Sequence, residues 1–196
     1  MALPLRGVWL LLALLPHARA GCAFPPDDNG HVDYPSGETS ITNQAFYNCD
    51  SLISITLPSS LTSIGDSAFQ SCTSLASITL PSSLTSIGYR SFMSCTSLAS
   101  ITLPSSLTSI GYGAFESCTS LTSITLPSSL TSIDSYAFLE FGSSIGQFAF
   151  RSCTSLASIT LPSGITSIRE GTFKSCDSLA SITLPSSLTS IDASAF

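Results

Sequence analysis

Hydrophobic residues recur along most of this chain in a fixed order. Each unit has Leu and Ile three residues apart, then Leu-Pro, a second Leu and Ile three apart, and finally Phe and Cys. The unit Ser74–Thr96 reads SLASITLPSSLTSIGYRSFMSCT. Cys49, Cys72, Cys95 and Cys118 are each 23 residues apart, which sets the period. A fixed period of this length predicts a solenoid in which each unit forms one coil.

Within one coil, apolar and polar residues alternate as they do in a β-strand. Ile78 and Leu80 point to one side of the predicted strand, and Ser77 and Thr79 point to the other. Pro81 ends the strand because it cannot donate to a ladder. A single coil cannot bury its apolar residues alone. We therefore expect stacked coils to bury columns of Leu, Ile, Phe and Cys while short parallel strands pair from coil to coil.

The first coil is more polar than the coils that follow it. Residues 28–50 keep the register of the repeat but carry Asn29 and Glu38 at positions that hold Leu in later coils. A terminal coil has one side in water, so we predict that residues 28–50 form an N-terminal cap. The Pro-, Asp- and Gly-rich residues 21–27 lead into this cap.

The period breaks once, because Cys118 and Cys153 are 35 residues apart. Residues 143–154 then form a short coil that carries half of the usual pattern. This short coil either bulges out of the stack or offsets it. The last coil, residues 178–196, stops before its cysteine, and we expect residues 28–196 to form one solenoid domain.

The pattern Leu-x-x-Ile-x-Leu-Pro-x-x-Leu-x-x-Ile-Gly-x-x-x-Phe-x-x-Cys resembles the BspA-like, or Treponema-type, leucine-rich repeat. The resemblance extends from about Asp28 to Phe196. It implies an all-β repeat fold, a right-handed solenoid of 23-residue coils with short parallel strands and an extended binding surface. Members of this family are secreted and surface proteins, and some are adhesins that bind host or matrix proteins. The family has no catalytic residues to transfer.

Residues 1–20 have the features of a secretory signal peptide. Arg6 gives a positive start, Val8–Leu15 is an apolar stretch too short to span a bilayer, and Ala18–Ala20 fits a cleavage site. We therefore expect a secreted or cell-surface protein. No later stretch is long and apolar enough for a transmembrane segment in the mature chain.

The negative net charge of the chain limits the classes of partner that it can bind. The sequence has a net charge of −6, and removal of residues 1–20 deletes Arg6 and Arg19, which leaves 4 basic against 12 acidic residues, or −8. This charge argues against nucleic acid and anionic membranes as partners. An extracellular or cell-surface protein, or a glycan, is consistent with it.

The cysteines predict a buried column and no metal site. Six of the seven hold the same place in their coils, namely Cys49, Cys72, Cys95, Cys118, Cys153 and Cys176. We predict that this column is reduced and apolar. Disulfides between neighbouring coils are the alternative, because Cα atoms there lie within about 4.4–6.8 Å. Cys22 stands outside the column, and Cys49 is its most plausible partner. No pair has metal-ligand spacing, and the acidic cap does not fit a calcium loop.

No catalytic constellation is predicted. After residue 20 the chain has one histidine, His31, and the repeated serines have no base beside them in the sequence. The acidic residues vary between coils, so no carboxylate pair is specified. These features indicate a non-enzymatic binding module without a cofactor.

The turn after the second Ile of each coil differs from coil to coil. Gly88 opens one of these turns, and we expect a positive φ there. Tyr, Arg and Met favour specific protein recognition, so we predict a partner-binding edge. Its residues are Tyr89, Arg90, Met93, Tyr112, Glu116, Tyr136 and Arg151. The alternative is that these positions vary because water imposes no constraint.

The strand face, in contrast, repeats in every regular coil. Ser-Ile-Thr would place two rows of hydroxyls about 4.8 Å apart along the solenoid. A repeating surface suits a repeating ligand, such as ice or a polysaccharide lattice. The threonines of this face are Thr56, Thr79, Thr102, Thr125, Thr160 and Thr183. Such residues also suit any solvent-facing strand, and a structural role in a wall or matrix is a further alternative.

Overall fold

A computed structural model of the chain describes residues 21–130, 144–145 and 147–196. In these ranges the chain winds as a parallel β-solenoid, and each coil contributes one three-residue strand and one two-residue strand. The prediction of an all-β solenoid with short parallel strands and 23-residue coils is confirmed. None of the described residues forms a helix that would be able to cross a membrane.

Three-residue strands and two-residue strands alternate along the chain, and each kind forms its own row in the stack. They are β1 (His31–Asp33), β2 (Ser40–Ile41), β3 (Ser54–Thr56), β4 (Ser63–Ile64), β5 (Ser77–Thr79), β6 (Ser86–Ile87), β7 (Ser100–Thr102), β8 (Ser109–Ile110), β9 (Ser123–Thr125), β10 (Ser144–Ile145), β11 (Ser158–Thr160), β12 (Ser167–Ile168), β13 (Ser181–Thr183) and β14 (Ser190–Ile191).

Both rows pair in parallel and in register, so that equivalent residues stack. The three-residue strands form the sheets β1-β3 and β13-β11-β9-β7-β5, and the two-residue strands form β2-β4-β6-β8 and β10-β12-β14. Ile78 lies opposite Ile101, and Ile101 lies opposite Ile124. Most columns of the core are therefore built mainly from one residue type.

The described stack stays in register across the irregular coil. Strand β9 pairs with β11, and Ile124 lies opposite Ile159 although 35 residues separate them. On the turn side, the amide of Phe115 donates to the carbonyl of Ala149 at 3.0 Å. The coils on either side are thus neighbours along the three-residue strands and the turns, whereas the two-residue strands β8 and β10 belong to separate sheets. Residues 131–143, which include the start of the predicted short coil, lie outside the described residues.

A ladder of phenylalanine rings runs through the core. Neighbouring rings lie 5.2 to 5.8 Å apart between centroids and are nearly parallel through most of the ladder. The rings belong to Phe46, Phe69, Phe92, Phe115, Phe150, Phe173 and Phe196. All but Phe196 are fully buried. Each stacked pair contributes about 0.5–1.5 kcal/mol beyond the burial of its surface.

The lead-in covers the first coil. Cys22 forms a disulfide with Cys49, as predicted, and their Cα atoms are 5.2 Å apart. Phe24 packs edge-on against Tyr34, with 5.1 Å between the ring centroids, and lies 6.2 Å from Phe46, the first ring of the ladder. The lead-in therefore closes the apolar N-terminal side of the described stack.

Five of the six column cysteines are free, as predicted, whereas Cys49 is oxidised in the disulfide with Cys22. Each thiol donates to the phenylalanine carbonyl of the preceding coil; for example, Cys95 Sγ lies 3.1 Å from the oxygen of Phe69. Burial raises the pKa of Cys72 to about 12 and that of Cys176 to about 11. These thiols therefore stay protonated at neutral pH, and a protonated thiol reacts poorly.

The prediction of a positive φ at Gly88 is wrong. The left-handed residue is Arg90, two positions later, with a φ of 49°. Gly88 is needed because the coils approach closely: a Cβ there would lie 2.7 Å from the carbonyl carbon of Gly65 and 2.8 Å from the amide nitrogen of Asp66. Glycine at this point lets one turn stack on the next.

We expect Ile101→Asp to unfold the coils around β7. Ile101 is 5% exposed and stacks between two isoleucines, so the new carboxylate would be buried without a partner. The cost should be roughly 4 kcal/mol or more. The control Thr102→Asp, on the exposed side of the same strand, should cost less than about 1 kcal/mol. Urea unfolding followed by circular dichroism measures both. Equal urea midpoints for Ile101→Asp and the parent would contradict the observed register.

We also expect the protein to lose stability as the pH rises above about 9. The thiol pKa is near 9.0 in the unfolded chain and about 12 at folded Cys72, so the unfolded chain deprotonates first. Stability that is complete below pH 9 should fall through this window by about 1.4 kcal/mol per pH unit for each buried thiol. Denaturant unfolding between pH 7 and 11 in oxygen-free buffer measures this slope.

The variants Cys95→Ala and Cys118→Ala provide the control for this pH dependence. Burial raises the pKa of both thiols well above its ordinary value. Each substitution removes one titrating group. The loss of unfolding free energy with pH should therefore become less steep by about 1.4 kcal/mol per pH unit. A slope that is the same in the parent and in both variants would show that buried thiols do not cause it.

Candidate functional site

The turn edge is the surface formed by the residues between the second Ile and the Cys of each coil. Its turns are tied together by hydrogen bonds between neighbouring coils. The amide of Arg90 donates to the carbonyl of Tyr112 at 2.9 Å. The amide of Tyr89 donates to Oδ1 of Asp66, also at 2.9 Å. Side chains on this edge therefore project from a backbone that is fixed on both sides.

Five of these side chains pack on one another. The rings of Tyr89 and Tyr112 are stacked with 5.3 Å between centroids, and Tyr112 meets Phe148 edge to face at 5.4 Å. The guanidinium of Arg90 lies 4.9 Å from the ring centroid of Tyr89 and 5.6 Å from that of Tyr112. Arg151 lies 5.2 Å from the Phe148 ring. All five are partly exposed. We call these residues the aromatic–arginine platform.

Glycines in the neighbouring coils make room for the platform. Arg90 and Phe148 occupy the left-handed turn position, with φ values of 49° and 57°, and Gly113 and Gly171 hold the same position in the following coils. A Cβ on Gly113 would lie 3.3 Å from Cγ of Arg90, and a Cβ on Gly171 would overlap the Phe148 ring. Both large side chains therefore lie over the next coil instead of projecting into water.

Glu116 forms an ion pair with one arginine of the platform. Its side chain is 10% exposed, and its Oε1 lies 3.5 Å from Nη1 of Arg151, whose side chain is 43% exposed. The second oxygen of Glu116 is buried and has no hydrogen-bond partner. The carboxylate thus orients Arg151 and presents little surface of its own.

Arg90 differs from Arg151 because none of the described acidic residues forms an ion pair with it. Among the described residues, no carboxylate oxygen lies within 4.0 Å of its guanidinium. Its Nε is buried and lacks a hydrogen-bond partner. Aromatic rings therefore hold this cation in place.

The structure brings most of the predicted edge residues together. Tyr89, Arg90, Tyr112, Glu116 and Arg151 form one contact network. Met93 lies on the same edge and is partly exposed. The predicted residue Tyr136 lies outside the described residues.

Phe148 belongs to the platform but was not among the predicted site residues. It occupies the same turn position as Arg90, three residues after the second Ile of its coil. The sequence places it on the variable turn edge, and its contacts with Tyr112 and Arg151 show that it belongs to the platform.

The strand face presents hydroxyls without partners. Thr79, Thr102, Thr125, Thr160 and Thr183 are exposed, and no described residue hydrogen-bonds to their side chains. The hydroxyls of the turns differ, because they bond to the preceding coil. Ser83 Oγ donates to the carbonyl of Leu61 at 2.6 Å, for example.

The first coil replaces these hydroxyls with His31 and Asp33. Pairing of β1 with β3 brings His31 Nδ1 to 2.7 Å from Ser54 Oγ, so the expectation that no serine has a base beside it is corrected. His31 Nε2 lies 3.3 Å from Asp33 Oδ1 and 3.0 Å from Thr56 Oγ1.

This arrangement resembles a catalytic triad only in part. The amides of Ile53 and Ser54 both donate to the carbonyl of Gly30, so neither can stabilise an oxyanion. The side chain of Asp33 is 86% exposed. The contacts fit a cross-strand hydrogen-bond network and give no support for acyl transfer.

Comparison with known proteins identifies relatives of the repeat. The BspA type Leucine rich repeat region matches residues 27–142 and 140–196, in six copies. The Leucine Rich Repeat protein TpLRR of T. pallidum is 36% identical over 86% of this chain and 76% of that chain, with a TM-score of 0.75. A leucine-rich repeat protein from Bacteroides ovatus is 31% identical over 83% of this chain, with a TM-score of 0.64. The chain spans 48% of that protein. No curated protein matches at a significant level.

We expect Arg90 and Tyr112 to be energetically coupled. Cation–π contacts at partly exposed sites contribute about 0.5–1 kcal/mol. A double-mutant cycle of Arg90→Ala and Tyr112→Ala, measured by urea unfolding, should give a coupling energy in this range. The control cycle pairs Tyr112→Ala with Lys174→Ala, an exposed cation two coils away, and should be additive within about 0.3 kcal/mol. A coupling no larger than that of the control would contradict the stacked geometry.

Proposed function

The chain belongs to the BspA-type leucine-rich repeat family, and from this we propose that it is a secreted or cell-surface adhesion module that binds another protein through the aromatic–arginine platform. The observation that carries the proposal is the packing of five partly exposed aromatic and arginine side chains from three consecutive coils. The solenoid acts as a rigid scaffold that displays them.

The composition of the platform supports protein binding. Tyr and Arg are enriched among the residues that contribute most to protein interfaces. The side chains are already stacked before a partner arrives, so binding loses less side-chain entropy than it would at free surface residues. Elsewhere, the exposed residues of strands β5 to β13 are small Ser and Thr side chains, which offer little to a specific partner.

An extracellular setting is supported by two features. Residues 1–20 have the pattern of a secretory signal. The disulfide between Cys22 and Cys49 closes the lead-in onto the first coil, and disulfides persist in oxidising compartments. We propose that the mature protein acts there without catalysis and without a cofactor.

The hydroxyl face supports a second candidate function, binding to ice or to a polysaccharide lattice. Ser and Thr recur at its two positions from β3 to β13, although the neighbouring turn edge has diverged between coils. No hydrogen bond to a described residue explains the hydroxyls of β5 to β13. Because no charged residue lies on these strands, a neutral, repeating ligand fits them best.

Binding assays with reciprocal variants test the two candidates. The purified protein is exposed to immobilised extracellular matrix proteins, to glycans and to whole cells. We expect saturable binding to a protein that weakens at least about tenfold when Tyr89, Arg90 and Tyr112 are changed to Ala. The matched variant, with Thr79, Thr102 and Thr125 changed to Ala, should bind like the parent. Circular dichroism and thermal unfolding confirm that both variants fold.

Other binding results would favour the hydroxyl face or neither surface. Loss of binding only in the threonine variant, or thermal hysteresis that depends on these threonines, would support the hydroxyl face. Binding that is equal in the parent and both folded variants would contradict both candidates.

A further inference from the structure

We propose that Arg90 binds a carboxylate of the partner, and that the segment recognised by the platform is an acidic peptide. This inference rests on the proposed function, because it names the chemistry of the partner at the same site. It follows from the orientation of Arg90, from its missing acidic partner and from the distribution of charge along the chain.

The guanidinium of Arg90 is held in a defined position. The rings of Tyr89 and Tyr112 lie against it, and its aliphatic chain passes over Gly113. The backbone at Arg90 is in the left-handed region, which is unfavourable for a residue other than glycine. Most other residues at this turn position are Gly or Ser, so a bulky cation here is an unusual choice. Rigid orientation of this kind reduces the entropy lost when a ligand binds.

The charge of Arg90 is available to a ligand. Arg151 pairs with Glu116 and Arg169 pairs with Asp192, each at 3.5 Å. Arg90 has no such partner among the described residues, and its terminal nitrogens are not among the buried atoms that lack a partner. A guanidinium that contacts rings through its face keeps its N–H groups in the plane, where they match the two oxygens of a carboxylate.

The surroundings favour a single local carboxylate over a polyanion. Between residues 21 and 89 the chain has no Lys or Arg, and its acidic residues there are Asp27, Asp28, Asp33, Glu38, Asp50 and Asp66. A long polyanion that reached Arg90 would meet this acidic part of the solenoid and be repelled. A short peptide places one Asp or Glu at Arg90 and rests its neighbouring apolar side chains on Tyr112 and Phe148.

Synthetic peptides test this inference directly. The probe is a fluorescent peptide of the sequence Tyr-Glu-Leu-Glu-Tyr with blocked ends, and its control has Gln in place of both Glu. We expect the full protein to bind the acidic peptide at least about tenfold more tightly than the control, since a charged bidentate pair is among the strong hydrogen bonds. The difference should shrink as salt is added, because the site is partly exposed.

Variants at two cations assign the effect to Arg90. Arg90→Gln should abolish the preference for the acidic peptide. Arg90→Lys keeps the charge but loses the fork of donors, so it should weaken binding by about tenfold. Lys174→Gln removes an exposed cation from the same edge and should leave binding unchanged. Equal binding of both peptides, or full binding by Arg90→Gln, would overturn the inference.

Two further binding measurements, one with acidic glycans and one with the protein partner, distinguish an acidic peptide from other ligands. Tighter Arg90-dependent binding of galacturonate oligosaccharides than of the acidic peptide would overturn the choice of a peptide. A protein partner that is lost with Tyr112→Ala but retained with Arg90→Gln would refute the carboxylate contact and leave the proposed function intact. A partner retained in both folded variants would refute both proposals.

Discussion

Stacking of equivalent residues in register is the constraint on which this molecule depends. A three-residue strand with two apolar side chains cannot fold alone, and its buried surface is completed only by the coils on either side. The in-register pairing of Ile78, Ile101 and Ile124 shows how strictly this is kept. The same constraint produces the phenylalanine ladder, the thiol column and the close approach of backbone at Gly88. It even holds across the irregular coil, where β9 pairs with β11.

Much of this arrangement could be predicted from the sequence because the constraint is itself periodic. The strands and the core columns follow from the spacing of 23, which also aligns the cysteines in one column but leaves their redox state open. The role of Gly88 does not follow from it, since the sequence of one coil does not show how near the next turn lies. The contact between His31 and Ser54 was missed for a different reason. The base lies one full period of 23 residues away from the serine, so neighbouring positions in the sequence do not reveal the contact.

The candidate site was predicted less completely than the fold. Diversity between coils indicated the turn edge as the candidate site, but it did not show which side chains touch. Glu116 turned out to be a nearly buried support for Arg151, and Phe148 turned out to be a central ring. Both facts depend on the left-handed turn position and on the glycines that follow it. Residue types alone do not reveal this, because the relevant neighbour of each side chain comes from the next coil.

In-register stacking also limits how a site can arise on such a scaffold. If the same cation occupied one turn position in every coil, like charges would lie about 5 Å apart and repel one another. A large side chain repeated there would also leave no room for its neighbours to lie flat. The observed order Arg90, Gly113, Phe148, Gly171 avoids both problems by alternating large residues with glycine. A specific site on a uniform solenoid therefore requires neighbouring coils to differ, and the platform is the place in the described chain where they differ in a complementary way.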